Sequence, residues 1–591
     1  MRTTNFYQRV RELLTHELPN PNLLNAEATA VADHIVIGRS RFCQKMGVAS
    51  EAEYKTQCKK NGTIMYHAHI GMNSWPATVD ALQYIYQVAQ DEGYVIDRAG
   101  ICMDRRMAVP AEFREGIPAE TGPMLVSTKE WQEIGQVVPI QPHMGDFMIG
   151  FPAGTSNTVQ ALEAGATTIG NLSQYFAHEA PLWKYPAITV AETVRAIAIL
   201  GRRREAGLLV HSYLEDGFGA LFFDCATVAG WAYLERYIVE TLLGARISHC
   251  IGGLTTDPIK RMGWVFALEE IHDHDCLGSM IYGDTLSFTR NVPRNWGVVG
   301  EYLLWDILAQ LECPTGHAVL PLPITEAIRI PSAIEIAEIQ SYGRQVEQTA
   351  RRLRAFVDFR PARTFAHRIV TAGKTVYKRA LTGLADAGVD ITNPVQLLYI
   401  LKHLGPIQFE LEFGMGDLDF TGKRRTPLVP TDISLQSLRT IEEYIPQFTT
   451  DKMQELMGKR RLLLASTDVH EHAIYVLREL LCEAGAEVIY LGAEQNPIDV
   501  AEGVQEYEAD ALLISTHNGM ALEYAQRLQM ELNRLHLKIP VLMGGVLNQK
   551  IPDHPLPVDV TKDLHQLGIQ TTAQLESGWQ LLLPKSGDAS C

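Results

Sequence analysis

The chain has 591 residues, a formal net charge of −17 and 46% hydrophobic residues; this is too long for one core and sets about two to four globular domains. The acidic balance argues against a nucleic-acid partner, since phosphate binding wants a basic face, while a small acidic substrate, recognised locally, stays open. No window approaches the run of about 20 apolar residues that spans a bilayer, residues 1–6 hold no signal-peptide core, and nine cysteines with no Cys-x-x-Cys pair suit free thiols in a reducing cytoplasm.

Residues 1–60 read as a helical segment, with Arg39-Ser40-Arg41 in a solvated turn. From 61 to 335 short apolar runs alternate with helical stretches. The runs cover 63–66, 94–96, 137–140, 166–169, 208–210, 246–248, 279–282 and 317–320. Eight βα units over this length predict a (β/α)8 TIM barrel, the run 137–140 being the weakest because Pro139 within it breaks a ladder. Polar residues follow the runs. His67 and His69 follow the first, Asp97 and Arg98 the second, and His143 and Asp146 the third. Asn171 and Gln174 follow the fourth, His211 the fifth, His249 the sixth, Asp284 the seventh, and Thr325 and Glu326 the eighth. Active sites of this fold lie on the face where strands end. A polar group from each of several strands therefore marks a catalytic mouth, with His67, His69, Arg98, His143, His211 and Glu326 as the candidate catalytic residues. Residues 336–455 read as a helical connector, with a linker at 414–432 that carries the basic patch Lys423-Arg424-Arg425.

Residues 456–591 alternate differently. The apolar run Leu462-Leu463-Leu464 leads into Ala465-Ser466-Thr467-Asp468-Val469-His470-Glu471-His472-Ala473, and an amphipathic helix follows. A second run spans 486–492, a third ends in Ser515-Thr516-His517-Asn518-Gly519, and a fourth ends in Gly544-Gly545. This alternation predicts a flavodoxin-like, doubly wound parallel sheet whose ligand binds at the carboxyl ends of its strands.

The Asp468-x-His470 pair, the later Ser515-Thr516 and the Gly544-Gly545 pair resemble the cobalamin-binding domain of cobalamin-dependent mutases and methionine synthase. The resemblance implies that His470 is the lower ligand of the cobalt and that Asp468 holds its other imidazole nitrogen, as carboxylates do for metal-bound histidine. It implies that Ser515, Thr516, Gly544 and Gly545 line the slot for the displaced nucleotide tail, where glycine lets a bulky group pass close to the backbone. The chain departs from the pattern at Ala473, which stands where the family has glycine and narrows the slot by a methyl group.

A barrel followed by such a domain resembles the carbon-skeleton mutases: glutamate mutase, 2-methyleneglutarate mutase and methylmalonyl-CoA mutase. That likeness implies adenosylcobalamin as cofactor, a radical rearrangement of a small carboxylic or dicarboxylic acid, and a homodimer or tetramer. The cofactor carries the radical chemistry while the protein orients it. Bidentate arginines are the natural clamps for carboxylates, so Arg98, Arg105 and Arg106 are the expected ones. Gln174 and Glu326 are expected to hydrogen-bond a ribose or a substrate amine. Rival readings are an aminomutase using pyridoxal phosphate, which needs a Schiff-base lysine that no C-terminal lysine offers in a loop facing the barrel, and a corrinoid methyltransferase. A metal-dependent hydrolase using His67, His69, His211, His249 and Asp284 and a non-enzymatic cobalamin sensor complete the set.

Overall fold

The computed structural model describes residues 6–419, 422, 424–458, 460–468, 472–517, 519–551, 554 and 557–572. Eight short parallel strands organise the N-terminal body: β1 Met65–Ile70, β2 Arg98–Ile101, β3 Gln141–His143, β4 Thr168–Ile169, β5 Leu209–Tyr213, β6 Ile247–Cys250, β7 Met280–Ile281 and β8 Ala318–Val319. They pair as a five-stranded sheet, β3-β2-β1-β8-β7, and a three-stranded sheet, β4-β5-β6. Two single parallel bridges, Met144 to Ile169 and Ile251 to Ile281, join the sheets edge to edge in cyclic order.

Several strands begin later than the apolar runs. β1 starts at Met65 and carries His67 and His69 within it, β2 starts at Arg98 and β3 at Gln141. The reason is the two-residue period of a strand. In β1, Ala68 and Ile70 pack outward with Leu82 and Ile85 of the helix Trp75–Asp91, so the alternate residues, His67 and His69, face inward. A ring lined with polar side chains does not read as an apolar run.

The end of the ring where strands begin is sealed from outside. The helix Glu51–Asn61 is started by Ser50, whose hydroxyl accepts the Glu53 N–H. It drives Glu51 and Lys55, both fully buried, under the strands. Lys55 Nζ donates to the carbonyls of Gly278, Ser279 and Gly316 at 2.6, 3.2 and 2.8 Å. These carbonyls precede β7 and β8, and Lys55 supplies a charged donor to these buried strand starts.

The segment read as a connector is largely a layer of this body. The helix Arg360–Asp386 lies against Cys225–Arg236 and Pro258–Ile271, where Gly373 and Gly230 let the backbones approach: a Cβ on Gly373 would fall 2.9 Å from the Gly230 nitrogen. The helices Pro394–Leu404 and Pro406–Phe413 bury Leu397, Leu398 and Phe409 in the same core.

The C-terminal domain holds a second parallel sheet of β9 Arg461–Ser466, β10 Glu487–Tyr490, β11 Ala511–Thr516, β12 Val541–Gly545 and, at its edge, β15 Gln570–Thr572. A small antiparallel pair, β13 Asn548–Gln549 and β14 Val558–Asp559, sits beside it. The order β10-β9-β11-β12-β15 is that of a doubly wound, flavodoxin-like sheet. Alternate strand residues separate into two cores. Leu463, Leu512, Ile514 and Met543 face the helices Pro497–Glu506 and Ala521–Arg534, whereas Leu462, Leu464, Leu513 and Leu542 face the helix His472–Glu483. Among the described residues no helix is long and apolar enough to cross a membrane.

Candidate functional site

Inside the ring, β1, β3 and β5 each contribute one imidazole to a common layer. His67 and His143 have ring centroids 5.8 Å apart, and His143 and His211 4.5 Å apart. Side chains from alternate strands meet in layers in such a ring. Glycine on neighbouring segments makes the room: a Cβ on Gly100 would lie 2.6 Å from His67 Nε2, and one on Gly170 2.6 Å from the His211 Cβ. Both nitrogens of His67 and of His143 lack hydrogen-bond partners, as does His211 Nδ1. Burial, then the nearby Arg98 charge, pushes all three imidazoles well below their ordinary pKa, so they are neutral and able to accept or donate.

Arg98 is not a substrate clamp by position. It is completely buried at the sealed end of the ring. Its Nε lies 3.0 Å from Glu51 Oε1, off the N–H direction, so the contact is Coulombic. Its Nη1 donates to the Ser279 carbonyl and hydroxyl at 2.7 and 3.0 Å. Glu51 also faces Lys55 at 3.4 Å and accepts from the Thr168 hydroxyl at 2.7 Å. Burial raises the Glu51 pKa, but Arg98 and then Lys55 outweigh it and hold the carboxyl below its ordinary value. Arg106 is likewise occupied, forking onto Asp104 at 2.9 and 2.8 Å.

At the mouth, His69 lies with Cys102 and Asp146, from the segments after β2 and β3, around one point of the wall; Cys102 Sγ is 2.7 Å from His69 Nε2. Gln174 Nε2 donates to Asp146 Oδ1 at 3.2 Å, while its Oε1 accepts the Phe147 N–H. Asn171 spans to Asp216 at 2.8 Å, and Tyr213 and Tyr282 stack with centroids 5.3 Å apart. Glu215 is raised in pKa by burial, opposed by hydrogen bonds from Thr255, Gly252 and Leu254. Glu326 lines the same mouth.

The C-terminal sheet presents its strand ends to this mouth. Ser515 of β11 lies between Ser466 of β9 and Gly544 of β12, and Thr516 is in register with Gly545. Small residues stand at three adjacent strand ends, and Gly545, at φ 103°, has no room for a Cβ, which would sit 2.2 Å from the Thr516 carbonyl oxygen. Asp468 is buried at the end of β9, where its carboxylate accepts the His517 N–H and the Thr467 hydroxyl. The Thr467 hydroxyl also lies 2.9 Å from that of Thr516. His470 lies outside the described residues. Ala473, at the start of its helix, is exposed.

The two domains close on each other through specific contacts. Lys550 Nζ crosses from the C-terminal domain to Asp104 Oδ2 at 3.0 Å and to the carbonyls of Glu120 and Gly122 at 2.9 and 2.6 Å. Arg105, buried under the domain, reaches the Thr467 carbonyl at 3.3 Å. Glu494 accepts the Glu179 N–H at 3.0 Å and lies 3.6 Å from His178. Arg424 of the basic patch bridges the domains, over the rings of Phe223 and Tyr475; Lys423 lies outside the described residues. The space left between the domains is a cavity of about 620 Å3, lined by His69, His143, His211 and Glu326 on one side and by Tyr475, His517, Val546 and Asn548 on the other.

Sequence reasoning missed Lys550, which does face the ring, because the hairpin that carries it has no apolar pattern. It also missed Cys102, since a metal-ligand search by cysteine spacing passes over a lone cysteine whose partners come from other strands. The five-residue hydrolase set does not assemble. His249 is tied to His272 and Glu235 at 2.8 and 3.1 Å, and Asp284 caps the Ser287 N–H at 2.9 Å.

Residues 461–569 match the family described as B12 binding domain. The chain is 28% identical over 126 residues to the fused isobutyryl-CoA mutase of Geobacillus kaustophilus (strain HTA426), a stretch covering 20% of this chain and 11% of that protein. It is 28% identical over 81 residues to glutamate mutase sigma subunit 2 of Haloarcula marismortui, covering 14% of this chain and 55% of that one. The chain thus spans only part of the length of these curated relatives. A solved cobalamin-binding protein from Desulfitobacterium hafniense DCB-2 aligns at 15% identity and TM-score 0.19, over 26% of this chain and 82% of that one.

Proposed function

We propose that this chain, whose C-terminal unit is a B12-binding domain, is an adenosylcobalamin-dependent isomerase that rearranges the carbon skeleton of a small carboxylic or dicarboxylic acid. The N-terminal ring is read as a TIM-type barrel, a reading supported by the cyclic order of its parallel strands. The observation that carries the function is the cavity shared by the ring's strand ends and the B12-binding domain. At about 620 Å3 it lies within the roughly 300–1,000 Å3 usual for ligand sites.

The residues present fit the cofactor. The small residues Ser466, Ser515 and Gly544 at adjacent strand ends suit close passage of the nucleotide tail, and the buried Asp468 carboxylate suits a neighbouring imidazole. His470 is proposed as the lower cobalt ligand, oriented by Asp468. Adenosylcobalamin, when bound, supplies a carbon radical by homolysis of its cobalt–carbon bond. The ring wall and the docked domain exclude water from the substrate. His143 and His211, neutral through burial, offer hydrogen bonds on the cavity floor; Gln174 holds Asp146 in place. Glu326 is proposed to hold a substrate or ribose hydroxyl at the rim. A reducing cytoplasm belongs to the same proposal and is supported by the free thiols of the described cysteines.

The test is electron paramagnetic resonance on adenosylcobalamin-loaded protein frozen during anaerobic incubation with short-chain mono- and dicarboxylic acids. A radical signal that appears only with one acid, together with its isomer in the product mixture, is expected. Methyl transfer from a donor through methylcobalamin, with no radical signal, would sink the isomerase reading in favour of a methyltransferase.

A further inference from the structure

The cavity has an electrostatic gap. Among its described lining residues the only lysine or arginine is Arg329, while Glu120, Asp146, Glu215, Asp216 and Glu326 contribute carboxyl groups. Arg329 is itself bound to Glu335 at 2.7 Å, and Arg98 and Arg106 are consumed elsewhere. An anionic substrate entering this wall meets like charge, which disfavours it. Either the substrate is not an acid or another positive charge belongs here.

His69, Cys102 and Asp146 offer the place for one. The three come from consecutive strand ends, β1, β2 and β3, and each offers one donor atom, all within 4.8 Å of one another. All three line the cavity. Gly100, in register with His69, keeps the wall open for the imidazole: a Cβ there would come within 3.2 Å of His69 Nδ1. That Nδ1 is buried without a hydrogen-bond partner. Gln174 fixes the third member, as outer groups fix ligating carboxylates. One nitrogen, one sulfur and one oxygen form a borderline-soft donor set. Such a set selects zinc over magnesium or calcium, which take oxygen. Three protein ligands, rather than four, is the pattern of zinc sites that keep a coordination position open.

We propose that His69, Cys102 and Asp146 bind one divalent cation of the zinc type, whose open position faces the cavity and takes a carboxylate oxygen of the substrate. The carboxylate half of this inference rests on the proposed function; the metal half does not.

The test uses the full-length chain, free of cobalamin and stripped with a chelator, titrated with cobalt(II) as a probe. A thiolate-to-cobalt charge-transfer band saturating at one ion per chain is expected, displaced by zinc, absent in Cys102→Ser and weakened at least about tenfold in Asp146→Asn. Circular dichroism of both variants checks that they fold. Absence of the band in the parent chain, or its persistence in Cys102→Ser, overturns the metal site. Succinate, the carboxylate probe, is expected to shift the visible d–d bands of the bound cobalt(II); bands that do not move overturn the carboxylate assignment. Cobalamin binding, measured separately, is expected to survive in Cys102→Ser, so failure of the metal site and failure of the cofactor reading give different results.

Discussion

Arg98 at the sealed end of the ring sets a direct contest between a structural and a catalytic role. Replacing it with methionine keeps most of its volume and deletes the guanidinium. Glu51 then keeps Lys55 at 3.4 Å and the Thr168 hydroxyl at 2.7 Å, but the Ser279 carbonyl and hydroxyl lose the donors now at 2.7 and 3.0 Å. Breaking a fully buried ion pair by removing one partner costs about 3–5 kcal/mol, and the surviving Lys55 contact puts this case at about 3. At roughly 2 °C per kcal/mol, the low end for a large domain, the midpoint of thermal unfolding should fall by about 6 °C. The double variant Glu51→Gln/Arg98→Met should recover part of the loss, because it no longer strands a buried carboxylate. The assay is thermal unfolding by circular dichroism alongside cobalamin titration, whose midpoint should not move. An Arg98→Met protein with unchanged thermal stability and abolished turnover would refute this reasoning and return Arg98 to the substrate.

Lys550→Met removes a charged donor from three acceptors, where each charged hydrogen bond contributes about 1.5–3 kcal/mol; the domain should undock, seen as faster proteolysis between the body and the B12-binding domain, and an unchanged digestion pattern would count against the docking contact. Gly545→Ala forces a side chain into φ 103° and against the Thr516 carbonyl, a strain of about 1–3 kcal/mol; cobalamin affinity should drop about tenfold or more, and an unchanged titration would remove Gly545 from the slot. Burial pushes Glu494 up to about 7 from its ordinary 4.5, against the opposing pull of Arg105. The native state therefore holds this proton more tightly than the unfolded chain, so its stabilising effect is complete below 4.5 and is lost as pH rises through about 7. Stability measured across this range should decline more steeply in the parent chain than in Glu494→Gln; parallel curves would contradict the assignment.

The C-terminal domain was legible in the sequence because its signals are local. Strands buried on both faces read as apolar runs such as Leu462-Leu463-Leu464, and Asp468, Ser515 and Gly544 stand at their ends. The N-terminal half was legible in rhythm but not in register. His67 and His69 read as a loop after a strand because their imidazoles face a polar interior, whereas β1 runs through both. Arg98 reads as a mouth residue because the apolar run 94–96 precedes the strand it opens, so the run marks β2 a few residues too early. What stayed hidden depends on pairing between distant segments: Glu51 and Lys55 beneath the ring, Lys550 across the domain boundary, and Cys102 beside His69 and Asp146.

The proposed function requires that cobalamin bind between the two domains with His470 beneath the cobalt. The most direct measurement is electron paramagnetic resonance of the full-length, nitrogen-15-labelled protein loaded with cobalamin and reduced to the cobalt(II) state. Superhyperfine coupling of cobalt to a protein nitrogen-15, lost in His470→Ala, is expected. Coupling to the cofactor's own unlabelled benzimidazole nitrogen instead, unchanged in His470→Ala, would contradict it.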